Sequence, residues 1–241
     1  MNILIVYAHP EPTSLNGSLM DFARFQLESQ GHAVRISDLY DMNFKAVADK
    51  NDFCERKNPN QLNYLLEQMN ASKNKTFSPD ILLEQEKLDW ADFILLQFPI
   101  WWTETPAILK GWFDRVFAFG FAYGPGTYDQ GNLTEKKAML SVTHGAPNLN
   151  NYGEYGLKGK LEERLFNIQH EKLYFSGIEV LEPFIFPSTA PLEVRNDYFE
   201  VYKNRLLHIF EEPTIPFHPL SHYENGQLVH DCRKDMAYNI M

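Results

Sequence analysis

The first apolar run, Asn2–Ala8 (NILIVYA), shows no polar alternation, as expected of a central parallel strand buried on both faces. In Asn16–Gly31, Leu19, Phe22, Ala23 and Leu27 recur at helical spacing and Gly31 supplies a stop. The alternation then continues. Strand-like runs occupy 33–37 (AVRIS), Asp92–Pro99 (DFILLQFP), Lys137–His144 (KAMLSVTH) and Ile178–Phe186 (IEVLEPFIF), and helical spacing fills Ser78–Leu88, Pro106–Phe117, Leu157–Phe175 and Leu192–Phe210. Strands alternating with helices predict βαβ units, hence an α/β fold: a doubly wound, five-stranded parallel sheet with helices on both faces.

Two stretches break this rhythm. Asn51–Phe77 is polar, rich in Asn, Gln and Lys, and reads as an inserted loop with a partial helix. After Glu212 the chain turns Pro- and His-rich, and "ENG" supplies a hairpin-type turn. Residues 1–212 are therefore expected to form the main domain. Residues 213–241 are expected to be a short C-terminal extension, too small to fold alone, packing on that domain or on a second subunit.

Composition narrows the partners. A formal charge of −10 argues against nucleic acid and anionic membrane surfaces, which call for a basic face. A helix N-terminus can still hold a buried anion. No apolar run approaches the roughly 18–20 residues that span a bilayer, and MNILIVYAHP reads as a strand, not a signal peptide. Cys54 and Cys232 sit outside any metal or redox spacing, which fits a reducing cytoplasm.

The unusual loops all follow strands, where open parallel sheets bind ligands. "AHPEPTSLNGS" lacks the dinucleotide and Walker fingerprints. It does place Thr13, Ser14 and Asn16 at a helix N-terminus, where they either bind phosphate or merely cap the helix. His9 is either a turn histidine or a ligand contact. "FPIWWTETP" brings adjacent Trp101 and Trp102, which cannot both be buried in one direction, so at least one offers its ring to a planar heterocycle. Trp112, at helical spacing with Leu109 and Val116, reads as core. The loop after the fourth strand supplies Thr143, His144 and Gly145, then Tyr152, Gly153, Tyr155, Gly156, Lys158 and Gly159. It is either a ligand-facing loop whose glycines let backbone approach closely or a solvated one.

Together, "LIVYAHPEPTSLN", "SDLYDMNF", "LLQFPIWWTETPAILKGWFDRVF", "FAY…YDQG", "KKAMLSVTHG" and "GIEVLEPFIF" resemble the flavodoxin-like NAD(P)H:quinone oxidoreductases, the DT-diaphorase-type enzymes and their bacterial relatives. The resemblance runs from about residue 2 to about residue 212 and is most specific over Gln97–Phe117. It implies FAD, with FMN as the alternative, at the interface of a homodimer. It further implies NAD(P)H as donor, a quinone or related small electrophile as acceptor, and two-electron hydride transfer by a ping-pong mechanism.

By position, the resemblance assigns His9, Thr13, Ser14, Leu15 and Asn16 to the pyrophosphate and its surroundings. Pro99, Ile100, Trp101, Trp102 and Thr103 would line the flavin ring, and Thr143, His144, Gly145 and Ala146 would meet its pyrimidine edge, beside Tyr152. Arg195 would reach the adenylate end. Tyr123, flanked by Ala122 and Gly124, would cap the substrate cavity from the partner, with Trp102 as a further wall. Tyr152 and Lys158 would act as the catalytic pair, stabilising negative charge on the reduced ring. Some features depart from the pattern. Tyr152-x5-Lys158 stands where mammalian-type members carry Tyr-x5-His, Trp101 where glutamine is common, and Pro125 where a second cavity tyrosine often sits. Tyr174 follows His170 by four residues, so the metal site of some relatives is not expected. Two other functions compete: a regulatory subunit bound peripherally to a potassium-efflux antiporter, and a one-electron flavodoxin-type carrier.

Overall fold

The computed structural model describes residues 1–146 and 148–229; the expectations for Cys232 and for the end of the extension lie outside the described residues. Strands β1 (Asn2–Tyr7), β2 (Ala33–Asp38), β3 (Phe93–Pro99), β4 (Lys137–His144) and β5 (Glu179–Val180) pair in the order β2-β1-β3-β4-β5, all parallel. The order reverses between β1 and β3, so the loops after those strands part at that point and leave a crevice.

Side-chain period explains the layers. Ile3, Ile5, Phe93, Leu95 and Met139 face α1 (Leu15–Ser29) and α7 (Leu192–Leu207), packing against Leu19, Ala23, Tyr202 and Leu206. The alternate positions Leu4, Val6, Ile94, Leu96, Leu140 and Val142 face α3 (Pro79–Trp90) and α4 (Ala107–Val116), meeting Leu88, Leu109 and Trp112. Both faces of the central strands are thus buried, which is why they read as unbroken apolar runs.

Two expected elements are divided. The run Ile178–Phe186 forms β5 and then β6 (Phe184–Pro187), both paired with β4. Pro183 lies between them and has no N–H for the ladder. Helix does not fill Leu157–Phe175: Gly159 takes a φ of +69°, and regular helix begins at α5 (Leu161–Arg164). It continues through α6 (Phe166–Ile168), a π-helical turn at Gln169–Leu173 and a 3₁₀ turn at Tyr174–Ser176.

The polar insertion carries α2 (Tyr64–Asn74) and is pinned to α4 by charge. Arg115, fully buried, donates Nε to Asp52 Oδ1 at 3.1 Å and Nη1 to Asp80 Oδ2 at 2.6 Å, while Lys45 reaches Asp52 at 2.7 Å. Trp112 is buried too, and its Nε1 donates to Glu84 Oε2 at 2.8 Å. This assembly fixes the segment that carries the tryptophan loop. The described part of the extension lies on the main body: the Ile215 N–H donates to the Val180 carbonyl at 2.7 Å, and Tyr174 Oη donates to the His218 carbonyl at 3.2 Å. Beyond it β7 (Tyr223–Glu224) and β8 (Gln227–Leu228) form a hairpin whose Asn225 and Gly226 both have positive φ. Among the described residues, no helix is long and apolar enough to cross a membrane.

Candidate functional site

The carboxyl ends of β1, β3 and β4 enclose a cavity of about 340 Å³ lined by His9, Ser14, Leu15, Asn16, Pro99, Ile100, Trp101, Thr143, Gly145 and Ser188. Nine of those ten are positions that the sequence marks; Ser188 is not. The helix behind the cavity starts where the sequence places it: Ser14 Oγ accepts from the Gly17 N–H at 3.2 Å, a side-chain N-cap. Gly17 is required there, because a Cβ would stand 1.9 Å from the Pro12 carbonyl oxygen.

At the mouth of the loop, the Glu11 carboxylate accepts from the Thr13 N–H at 2.9 Å and from Thr13 Oγ1 at 2.6 Å. A carboxylate thus occupies the donors expected to meet phosphate, and those bonds lower the Glu11 pKa. The Glu11 N–H donates to His9 Nδ1 at 3.0 Å, and the Glu11 carbonyl lies 3.1 Å from the same nitrogen, so the imidazole is anchored to the loop through Nδ1.

Asn16 lines the cavity, and its buried side chain also bridges two strands: Nδ2 donates to Thr143 Oγ1 at 2.9 Å, and Oδ1 accepts from Gln97 Nε2 at 2.9 Å. This chain ties the start of α1 to β3 and β4 below the cavity, and it holds the Thr143 hydroxyl as well. Gln97 is a functional residue that sequence reasoning misses, although one polar residue inside the apolar run FILLQFP is a legible signal; among the described residues its buried Oε1 has no partner.

The tryptophan loop is a two-residue turn. The Trp101 N–H donates to the Glu104 carbonyl at 3.0 Å and the Glu104 N–H returns to Trp101 at 3.1 Å. Between them Trp102 and Thr103 take φ of 51° and 66°. These are the conformations of a type I′ turn, which ordinarily selects Asn and Gly. The result is display: Trp102 is 98% exposed, Trp101 is 40% exposed and lies 5.9 Å from His9, ring centroid to centroid. Keeping a bulky residue in left-handed backbone costs on the order of 1–3 kcal/mol, a cost that clusters at ligand clamps.

On the opposite side of the cavity, His144 is buried and meets Tyr152 edge-on at 4.8 Å, and the Lys158 ammonium stands 5.4 Å from the Tyr152 ring centroid. Burial first, and the Lys158 charge second, lower the His144 pKa. Ser188 Oγ donates to the His144 carbonyl at 2.9 Å. Ala146 is buried, its N–H donates to His144 Nδ1 at 3.4 Å, and its carbonyl accepts from Thr189 Oγ1 at 2.5 Å.

The remaining assignments fall elsewhere in the protomer. The Ala122 methyl is fully buried in the core of the protomer. Tyr123 lines a separate, aromatic cavity, and Gly124 sits in the adjacent turn with its N–H directed to the Gly126 carbonyl at 3.3 Å. Arg195 is on α7 outside the strand-top cavity; its Nε is buried without a hydrogen-bond partner among the described residues.

A parallel sheet of order 2-1-3-4-5 with aromatic and polar loops gathered at its switch point defines a nucleotide- or flavin-type α/β site. The family model for the flavodoxin-like fold, Flavodoxin_2, matches residues 1–209, and the chain belongs to this family. It is 42% identical over 229 residues to the human ribosyldihydronicotinamide dehydrogenase [quinone], covering 93% of this chain and 98% of that one. It is 40% identical over 225 residues to NAD(P)H dehydrogenase [quinone] 1 of Rattus norvegicus, covering 92% and 82%. Among solved structures, a Klebsiella pneumoniae protein assigned as a quinone reductase superposes with a TM-score of 0.89 at 38% identity, covering 100% of this chain and 97% of its own.

Proposed function

We propose that this chain is an FAD-dependent NAD(P)H:quinone oxidoreductase that works as a homodimer by two-electron, ping-pong transfer. The observation that carries the reading is the strained turn that presents Trp102 to solvent at the rim of the strand-top cavity. The residues there suit a flavin. The Thr13 donors, already holding a carboxylate, suit its phosphates, and Pro99–Thr103 with Thr143–Gly145 suit its ring. The Arg195 Nε, unpartnered among the described residues, suits the adenylate end and so favours FAD over FMN. When bound, the flavin supplies the hydride-accepting chemistry that no side chain has. Lys158 would hold positive charge at the edge where reduction adds negative charge, and Tyr152 would hold a hydroxyl proton there.

The dimer reading rests on exposure. Tyr155 (94% exposed) and Leu157 (89% exposed) join Trp102 as bared side chains of the site loops, while Tyr123 faces another cavity of its own protomer. A second copy is the arrangement that brings Tyr123 over a flavin. Relatives named for two different dihydronicotinamides match almost equally well, so the donor is a matter for kinetics. Initial rates are measured at several fixed quinone concentrations with NADH, NADPH and dihydronicotinamide riboside. Parallel double-reciprocal lines are expected with NADH or NADPH. Intersecting lines would refute the shared pocket, and quinone reduction confined to the riboside would refute the donor. Sedimentation at twice the chain mass is expected for the flavin-loaded form; a fully active monomer would remove the dimer.

A further inference from the structure

The described surface carries a second cavity, of about 480 Å³, walled by the rings of Tyr64, Phe113, Phe117, Tyr123 and Phe175. One cation, Lys172, and two carboxylates, Asp114 and Glu171, belong to this wall. Lys172, on the π-helical turn, donates Nζ to the Asn167 carbonyl at 3.2 Å and stands 5.9 Å from the Phe113 ring centroid. It makes no ion pair among the described residues, and its ammonium keeps donors unused.

The acids near it are engaged by other groups. Asp114 is paired with Lys110 at 2.5 Å, and Glu171 Oε1 lies 2.6 Å from His170 Nδ1. Glu104 accepts from the Thr105 N–H at 2.9 Å through Oε1 and from Asn167 Nδ2 through Oε2. Burial lowers the Lys172 pKa and outweighs the opposing pull of Glu104, Asp114 and Glu171. Glu104, Asp114 and Glu171 act on the ammonium from a distance, but among the described residues none pairs with it, so it keeps donors for an anionic group of a ligand.

Asn167 joins this cavity to the tryptophan turn. Its side chain holds Glu104, the residue that closes the turn, and its carbonyl holds Lys172. The cation is therefore positioned by the same element that steadies Trp102.

We propose that Lys172 makes the Tyr123 cavity an acceptor subsite selective for planar aromatic compounds bearing a carboxylate or sulfonate. The inference rests on the quinone-reductase reading and names the acceptor class within it. The opposing view is that the lysine stem merely covers Phe113 while its head is solvated.

The test uses the flavin-loaded enzyme with two acceptors, 1,4-naphthoquinone and 1,4-naphthoquinone-2-sulfonate, and reads the ratio of their kcat/KM values. Intrinsic reactivity cancels when that ratio is compared between wild type and variant. The loss of one charge-assisted contact is expected to lower the sulfonate-to-neutral ratio about tenfold in Lys172→Met. Lys172→Arg, which keeps the charge, is expected to hold the ratio near the wild-type value and so to exclude a packing defect. A Lys172→Met ratio within about twofold of wild type would overturn the inference alone, since a tenfold effect is expected. Wild-type enzyme that reduces neither acceptor would overturn the quinone reading itself.

Discussion

The Lys158 ammonium stands 5.4 Å from the centre of the Tyr152 ring, and that ring meets buried His144 edge-on at 4.8 Å. Lysine therefore occupies the aromatic corner of the site, and we propose that its charge acts there on the bound flavin. Lys158→Ala is expected to lower the midpoint potential of the bound flavin and to slow its reduction by NAD(P)H. A loss of about 1.4 kcal/mol of charge stabilisation is ~30 mV for a two-electron couple. An unchanged potential in a redox titration would assign Lys158 to loop structure alone.

His144 is held below the ordinary histidine pKa by burial and, secondarily, by Lys158. Its folded form resists a proton that the unfolded chain accepts near pH 6.5. Its stabilising contribution is complete above that value and is lost as pH falls below it toward the folded pKa. Thermal unfolding between pH 7.5 and about 5 is expected to show a fall in Tm that His144→Gln flattens in part. His32, half-buried and also shifted down, adds to the fall. An identical slope in the variant would show that His144 takes no part.

Trp102 and Trp112 are expected to separate stability from binding. Trp102→Gly relieves left-handed backbone and should stabilise the flavin-free protein by about 1 kcal/mol while weakening flavin retention. Trp112→Ala should cost about 3–5 kcal/mol of stability, because it opens the core and strips Glu84 of a donor. Calorimetry of the apo-proteins with fluorescence titration of flavin reads both. Full flavin affinity in Trp102→Gly would make that ring irrelevant to the site.

Most of the sheet was legible because central strands buried on both faces leave an unbroken apolar trace. The edge was not: Pro183 interrupts β5 and β6, and the apolar run read straight across it. Helical spacing from Leu157 to Phe175 concealed the positive φ of Gly159 and the π turn, since periodicity does not register where backbone hydrogen bonding changes. The tryptophan pair revealed the site, yet the type I′ turn beneath it was hidden, because Trp-Thr carries none of the usual turn residues. Asn16 shows the reverse limit. Its position pointed to phosphate, while its partners Gln97 and Thr143 are distant in sequence and meet it only in the fold.

The Glu11 carboxylate holds the Thr13 N–H and hydroxyl, the same donors that a phosphate group would need. Glu11→Gln removes the charge and weakens that hold, so the apo-protein is expected to bind FAD severalfold more tightly. Equilibrium titration at fixed ionic strength reads the change. Weaker binding would mean that Glu11 instead keeps the loop open for the cofactor.

The central claim is that the strand-top cavity holds a flavin which passes electrons from NAD(P)H to a quinone. It is tested most directly by anaerobic titration of the purified protein, followed through the visible flavin band. The account expects NAD(P)H to bleach the band at one equivalent per flavin, and quinone, added after the donor is exhausted, to restore it in full. A protein that stays colourless after incubation with FAD, or a bleached band that quinone does not restore, would contradict it.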